Sequence, residues 1–294
     1  MTAEAEVVRA APQRRSRLQQ LGRWIRSDPR AALSIAYLLL LLMFAIGAPF
    51  IAPYPPNEQN LAEILVPPSG DHWLGTDDLG RDVLSRLIWG APNSFYASIL
   101  AVSVAIILGV PIGLFAGYVG GWVDQAISRF IDALLSFPFI VLAIAVTGAL
   151  GIGLTNAMLS VGFAFAPFLA RLVRAQTLVV KSSLYVDAAR GFGASTFHII
   201  RRHIVPNAIQ PVIVQVTLML AIALLAEASL SFLSLGVQPP DASWGGMLAR
   251  AYNYIEIAPE QMYAPGMAIL LTALAFNALG ESMRVALDPT MKRR

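Results

Sequence analysis

Five stretches of 20 or more residues contain no Asp, Glu, Lys or Arg: residues 31–57, 87–123, 133–170, 204–226 and 261–280. A helix needs roughly 20 mostly apolar residues to cross a ~30 Å hydrocarbon core, at ~1.5 Å per residue. The stretch 133–170 is long enough for two crossings, and GALGIGLTN (Gly148–Asn156) supplies the turn chemistry to fold them into a hairpin. The spacing therefore predicts six helices, near 32–52, 94–117, 133–152, 154–174, 208–232 and 263–284. Only 13% of the 294 residues are charged, against roughly 25% in a soluble domain. The expected fold class is all-α integral membrane.

Basic residues set the orientation, because Lys and Arg collect on the cytoplasmic side. Arg9, Arg14, Arg15, Arg17, Arg23, Arg26 and Arg30 precede the first span, and Arg284, Lys292, Arg293 and Arg294 follow the last. Six more lie between Arg171 and Arg202, and Arg129 lies between spans two and three. These regions hold 18 of the 21 basic residues and leave Arg81, Arg86 and Arg250 to the other side. Both termini and the stretch around Tyr185 are expected in the cytoplasm. The apolar run after the basic start exceeds the 7–15 residues of a cleavable leader, so the first span is expected to be retained. The organisation is then a cytoplasmic tail (1–31), a first span with an extracytoplasmic segment (32–93), a main transmembrane domain (94–287) and a second cytoplasmic tail (288–294).

From Asp82 the outer segment reads as a short amphipathic helix lying on the membrane surface. Val83, Leu84, Leu87 and Ile88 share one face, and Asp82 and Arg86 form an i,i+4 pair on the other. Asp71, Asp77, Asp78 and Asp82 lack the spacing of a calcium loop, so turn and cap chemistry explains them better. A second outer segment, about Gly236–Met262, is expected to be an ordered loop with a short helix. Gly109, Gly113 and Gly117 recur every four residues, which puts three missing side chains on one helix face as a packing seam. Pro111, Pro138 and Pro167 are expected to kink spans two, three and four. Glu227 is the one carboxylate well inside a span, with Ser229, Ser231 and Ser234 nearby. A hydrogen-bonded structural acid is the leading reading there, and a pathway acid is the alternative.

Several chemistries lack materials. The histidines, His72, His198 and His203, fall outside the predicted spans, and there is no cysteine. An intramembrane Ser–His hydrolase or a buried histidine metal centre is excluded on that ground. Lys181 and Lys292 follow Val180 and Met291, so no Gly-Lys-Ser/Thr phosphate loop exists. No catalytic, cofactor-binding or metal-ligating residue is expected. A net charge of +3 is too small to indicate a nucleic-acid partner.

One polar stretch interrupts the apolar pattern: YVDAARGFGASTFHIIRRHIVPNAI, residues 185–209. A short helix should end at the Gly191-Phe192-Gly193 corner. Ser195 can cap a second helix, Thr196–Val205, with Phe197, Ile200 and Ile204 on one apolar side. Pro206 marks the expected change into span five. A compact knob with an apolar face and a basic rim suggests a cytoplasmic partner.

These residues resemble a known family. Asp187-Ala188-Ala189, Gly193 and Pro206 are similar to the EAA loop of bacterial ABC importer permeases, Glu-Ala-Ala-x3-Gly-x9-Ile-x-Leu-Pro. Asp187 stands for Glu, His203 for Ile and Val205 for Leu, departures that suit the peptide-transporting branch. HWLGTDDLGRDVLSRLIWGA (72–91), AEASLSFLSLGVQPPDASWGGML (226–248) and NALGESMRVALDP (277–289) resemble the C-type subunit of dipeptide and oligopeptide permeases.

The resemblance covers about residues 30–290. It implies a six-helix type I ABC importer (MetI-like) permease fold in a bacterial inner membrane, with 94–287 as the permease domain. It implies a non-catalytic subunit of an oligopeptide or dipeptide importer. Its partners would be a homologous B-type permease, an extracytoplasmic peptide-binding protein and two ATPases that carry the ATP and magnesium. The knob residues Asp187, Ala188, Ala189, Gly193, Phe197, Ile200, Ile204 and Pro206 would then couple to an ATPase groove. Alternatives are a nickel or other small-solute importer of the same architecture, or a standalone secondary transporter.

Overall fold

The computed structural model describes residues 27–287, and those residues fold into helices joined by loops. Helix α1 is Pro29–Ile51, and Asp28 caps it by accepting from the Arg30 and Ala31 backbone N–H groups at 3.0 and 3.4 Å. Helix α2 is Val83–Val119, 37 residues long, and ends at Gly120, whose φ is 75°. Helices α3 (Gly121–Leu135) and α4 (Phe139–Leu150) follow, bent by 91° relative to one another. The long α5 is Leu154–Lys181. Short helices α6 (Leu184–Gly191) and α7 (Thr196–Ile199) lead through a π-helical turn, Ile200–Ile204, into α8 (Val205–Phe232). Helix α9 (Trp244–Tyr252), a 3-10 turn at Pro259–Met262 and α10 (Tyr263–Leu287) complete the described chain.

Among the described residues, five helical runs are long and apolar enough to cross a bilayer: Pro29–Ile51, Val83–Val119, Leu154–Lys181, Thr196–Phe232 and Pro259–Ala286. The bent α3–α4 pair makes a sixth when taken as one span. The third expected helix, 133–152, is therefore corrected. Only Phe139–Leu150 forms that helix, and the chain turns sharply just before it. The cause is Pro138, which forces the preceding residue out of helical geometry and itself sits with ψ 129°. Pro111 and Pro167 lie inside α2 and α5, which continue past them. The hairpin turn falls at Gly151 and Gly153, with φ values of 96° and 139°. The expected tails reach into residues 1–26 and 288–294, which lie outside the described residues.

The surface helix expected from Asp82 is also corrected. Asp82 is the N-cap of α2, accepting from the Ser85 backbone N–H and hydroxyl at 2.7 Å each. Val83, Arg86 and Ile88 are all buried, so this segment has no free polar face. Arg86 does not pair with Asp82. Its guanidinium donates to the Pro56 carbonyl at 2.8 Å and the Asn57 side chain at 3.1 Å, and lies 3.6 Å from Asp77. The loop folding back over α2 covers it, which a helical-wheel reading of the segment alone cannot register.

The core lies between α2 and α5. A Cβ added at Gly109 would stand 2.7 Å from the Ala166 carbonyl oxygen, and one at Gly117 would stand 2.8 Å from Thr177 Cβ. At Gly113 it would overlap the Ala170 carbonyl oxygen. On α5, Gly162 answers with its own close approach, 2.6 Å from its added Cβ to Val104 Cβ. Without side chains in the way the two backbones meet directly. Dispersion over that long seam substitutes for the hydrophobic driving force that lipid cannot provide.

Candidate functional site

The polar knob is built at the end of α5. Val186 of α6 is fully buried against Val180, Ile199, Ile204 and Ala208, so α6 is held onto the ends of α5 and α8. Its last turn closes with three backbone bonds: Phe192 N–H to Ala188 O at 3.0 Å, Gly193 N–H to Arg190 O at 2.9 Å, and Ala194 N–H to Ala189 O at 3.0 Å. This is a Schellman termination with Gly193 in the left-handed position, φ 78°. Ser195 then caps α7 by accepting from the His198 N–H at 3.3 Å. The exposed Asp187 and Arg190 face each other at 3.4 Å.

One expectation about the second helix of the knob needs correction. Phe197, Ile200 and Ile204 do not share one free apolar side. Ile204 is 0% exposed and belongs to the internal cluster, Ile200 packs partly against it, and Phe197 is 71% exposed. The reason is the π turn at Ile200–Ile204, closed by Val205 N–H to Ile200 O, which adds a residue to one turn and rotates the later positions. Pro206 sits in the first turn of α8, where the change into span five is expected. The helical run is continuous from Thr196 to Phe232, and Pro206 falls in its first α-turn after the wide turn. The apolar groups presented outward are Leu184 (87% exposed), Phe192 (93%) and Phe197, rimmed by exposed Arg201 and Arg202. Leu184 and Phe192 were missed because periodicity finds buried stripes, and these two point away from the chain's own core.

Beside the knob, ion pairs join α3 to α5. The Arg174 guanidinium donates to both Asp124 carboxylate oxygens, one at 2.7 Å, and Arg171 pairs with Asp132. The Lys181 ammonium donates to the Tyr118 carbonyl at 2.5 Å. At the other end of α8, Glu227 is 0% exposed and accepts from the Ser231 hydroxyl at 2.7 Å. It sits where α9 presses on α8, since a Cβ added at Gly245 would stand 2.5 Å from Ala228 Cα.

The segment between α1 and α2 is locked by cap and turn bonds. Asp77 accepts from the Leu79 and Arg81 backbone N–H groups at 2.9 and 3.0 Å and from Arg81 Nε at 2.7 Å. Arg250 reaches Asp78 at 3.1 Å, and the Gln261 side chain donates to the Thr76 carbonyl at 2.8 Å. These links tie the segment after α1 to the segment between α8 and α10.

Residues 109–293 match the model of the binding-protein-dependent transport system inner membrane component, well over half the chain. The chain belongs to this family. Residues 16–68 of this permease match the N-terminal transmembrane domain of oligopeptide transport permease C. It is 40% identical over 289 residues to the probable D,D-dipeptide transport system permease protein DdpC of Escherichia coli K12, covering 98% of this chain and 97% of that one. It is 41% identical to the glutathione transport system permease protein GsiD of Pectobacterium atrosepticum, covering 92% and 90%. Among solved structures, an inward-facing MetNI methionine ABC transporter chain superposes with a TM-score of 0.58 at 19% identity, over 69% of this chain and 96% of that one. That likeness establishes the MetI-like fold. The permease is a multi-pass inner membrane protein.

Proposed function

We propose that this permease forms half of the membrane pathway of an ATP-driven importer for short peptides. The supporting observation is its likeness, over nearly its whole length, to permeases named for a D,D-dipeptide and for glutathione. A homologous permease supplies the other half, and an extracytoplasmic binding protein delivers the cargo. Two ATPase subunits bind and hydrolyse ATP with magnesium, and this chain carries out no chemistry. Both termini and the knob face the cytoplasm. The domain from 94 to 287 carries the pathway, and residues 32–93 add the first span and outer segment.

In this reading the knob is a lever seated on an ATPase. Leu184, Phe192 and Phe197 provide its contact surface, with Asp187, Ala188 and Ala189 forming the helix that carries them. Closure of the ATPase pair moves the knob, and the unbroken helical run from Thr196 to Phe232 delivers that motion to the Glu227 end. The test is the reconstituted complex, assayed for ATP-dependent uptake of a labelled dipeptide, glutathione and nickel. Peptide uptake that needs the ATPase subunits is expected. Uptake of nickel alone, or peptide uptake without ATPase subunits, overturns the proposal.

A further inference from the structure

His72 stands between two carboxylates that belong to different parts of the outer segment. Its Nδ1 is 2.9 Å from Asp82 Oδ1, at the head of α2, and its Nε2 is 3.5 Å from Glu63 Oε2. The ring lies 4.9 Å from that of Tyr54 and is 9% exposed. Among the described residues no cationic side chain shares this pair of contacts, and the groups facing the ring are Asp82, Glu63 and the Tyr54 phenol. Asp82 is committed elsewhere as well, since its other oxygen caps α2 through Ser85.

We propose that His72 is a pH latch that fastens the turn around Glu63 to the head of α2. The argument is one of donors and acceptors. Only imidazolium has a proton on both ring nitrogens and can donate to two carboxylates at once. A neutral ring keeps its proton on Nδ1, toward the closer Asp82, and turns a lone pair toward Glu63. One attractive contact then becomes a repulsive one. The Asp82 hydrogen bond, followed by its charge and the weaker Glu63 contributions, raises the His72 pKa above its ordinary value of 6.5 against the opposing cost of burial. A raised pKa gives a definite sign. The latch is fully closed below 6.5 and is lost as pH rises through the higher folded-state value.

Release is local. Leu65 N–H still donates to Asp77 O at 3.2 Å, and Val66 N–H to Thr76 Oγ1 at 2.9 Å, so the chain beyond Leu65 stays pinned. At Glu63 itself the carbonyl still accepts from the Thr76 hydroxyl, and the carboxylate retains the Asn60 side-chain amide at 2.7 Å, an exposed bond within the turn. The latch is therefore one tether among several on this turn, and its release loosens the exposed Leu61–Ala62 tip while the Glu63 carbonyl and the cap of α2 stay in place.

The chain has three histidines and no cysteine, which makes the test direct. In nanodiscs, 13C-labelled histidine resonances are titrated in the full chain, and His72 is identified by its loss in His72→Gln. A nitroxide on Leu61→Cys, at a position 69% exposed, reports the mobility of the turn. The expected result is a His72 midpoint above 6.5, with nitroxide mobility rising through that same midpoint. Glu63→Gln keeps the side-chain shape and removes one carboxylate. It should lower the midpoint and abolish the mobility step, even if His72→Gln fails to fold. A midpoint at or below 6.5, or mobility that stays flat through it, overturns the proposal.

Discussion

At Gly113 an added methyl group meets backbone on the facing helix, and backbone cannot rotate out of the way. Its Cβ would also stand 2.8 Å from Val173 Cβ. Overpacking of this kind costs about 1–3 kcal/mol, so Gly113→Ala should lower the unfolding midpoint of the purified permease. Gly148→Ala is the control, because a Cβ there meets nothing within 4 Å and should leave stability intact. Gly193 is the opposite case. It has open space around it and a φ of 78°, so the backbone and not bulk restricts substitution. A β-branched residue reaches that conformation only with strain, whereas Asn visits it more readily. Gly193→Val should insert normally but uncouple ATP hydrolysis from peptide uptake, and Gly193→Asn should restore much of the coupling. Equal, normal coupling in both variants would remove the lever from the mechanism. The glycine seam was legible because three residues at a four-residue period define a helix face by themselves. The Asp124–Arg174 pair and the His72 bridge were not, since no local pattern relates groups brought together by tertiary folding.

Elements were legible where apolar length decided them and illegible where tertiary cover did. The long spans follow from charge-free runs. The head of α2 does not, because its amphipathic pattern suits a surface helix equally well until the Pro53–Arg81 loop is placed over Arg86. Similarly, the apolar stripe of the knob assumed 3.6 residues per turn, and the π turn at Ile200–Ile204 breaks that arithmetic. The buried setting of this helix head decides what Leu87→Asp should do. Leu87 packs with Leu41, Ala91, Leu224 and Trp244, and its carbonyl accepts from the Trp244 indole at 2.9 Å. A carboxylate introduced there would be desolvated without a partner. Leu87→Asp is therefore expected to reduce the yield of folded, monodisperse protein before any transport assay is reached. Normal yield and unfolding midpoint, with loss only of stimulation by a binding protein, would restore the surface-helix reading.

For the whole molecule the deciding question is whether α3 and α4 cross the membrane together. Helix α4 has 12 residues, about 18 Å of helix, which is too short for a ~30 Å core by itself. Its neighbours show how far the pair travels. Asp132, near the end of α3, meets Arg171 in the C-terminal half of α5. The α4 end lies at the Gly151–Gly153 turn that opens α5, where Gly153 N–H donates to Leu235 O at 3.2 Å beyond the end of α8. Between those two levels lie the 18 residues of α5 from Leu154 to Arg171, a rise of roughly 26 Å. The bent pair therefore climbs most of the hydrocarbon thickness, with the Ser136–Pro138 corner at its lower end. Three crossings then separate residue 70 from residue 190, through α2, the α3–α4 pair and α5. Topology reporters inserted at these two positions should report opposite faces, with 190 on the cytoplasmic side as the clustering of basic residues requires. If the pair were re-entrant, only two crossings would intervene and both reporters would lie on one face. That result would reduce the permease to five spans and move either the outer segment or the knob to the wrong side for its proposed partner.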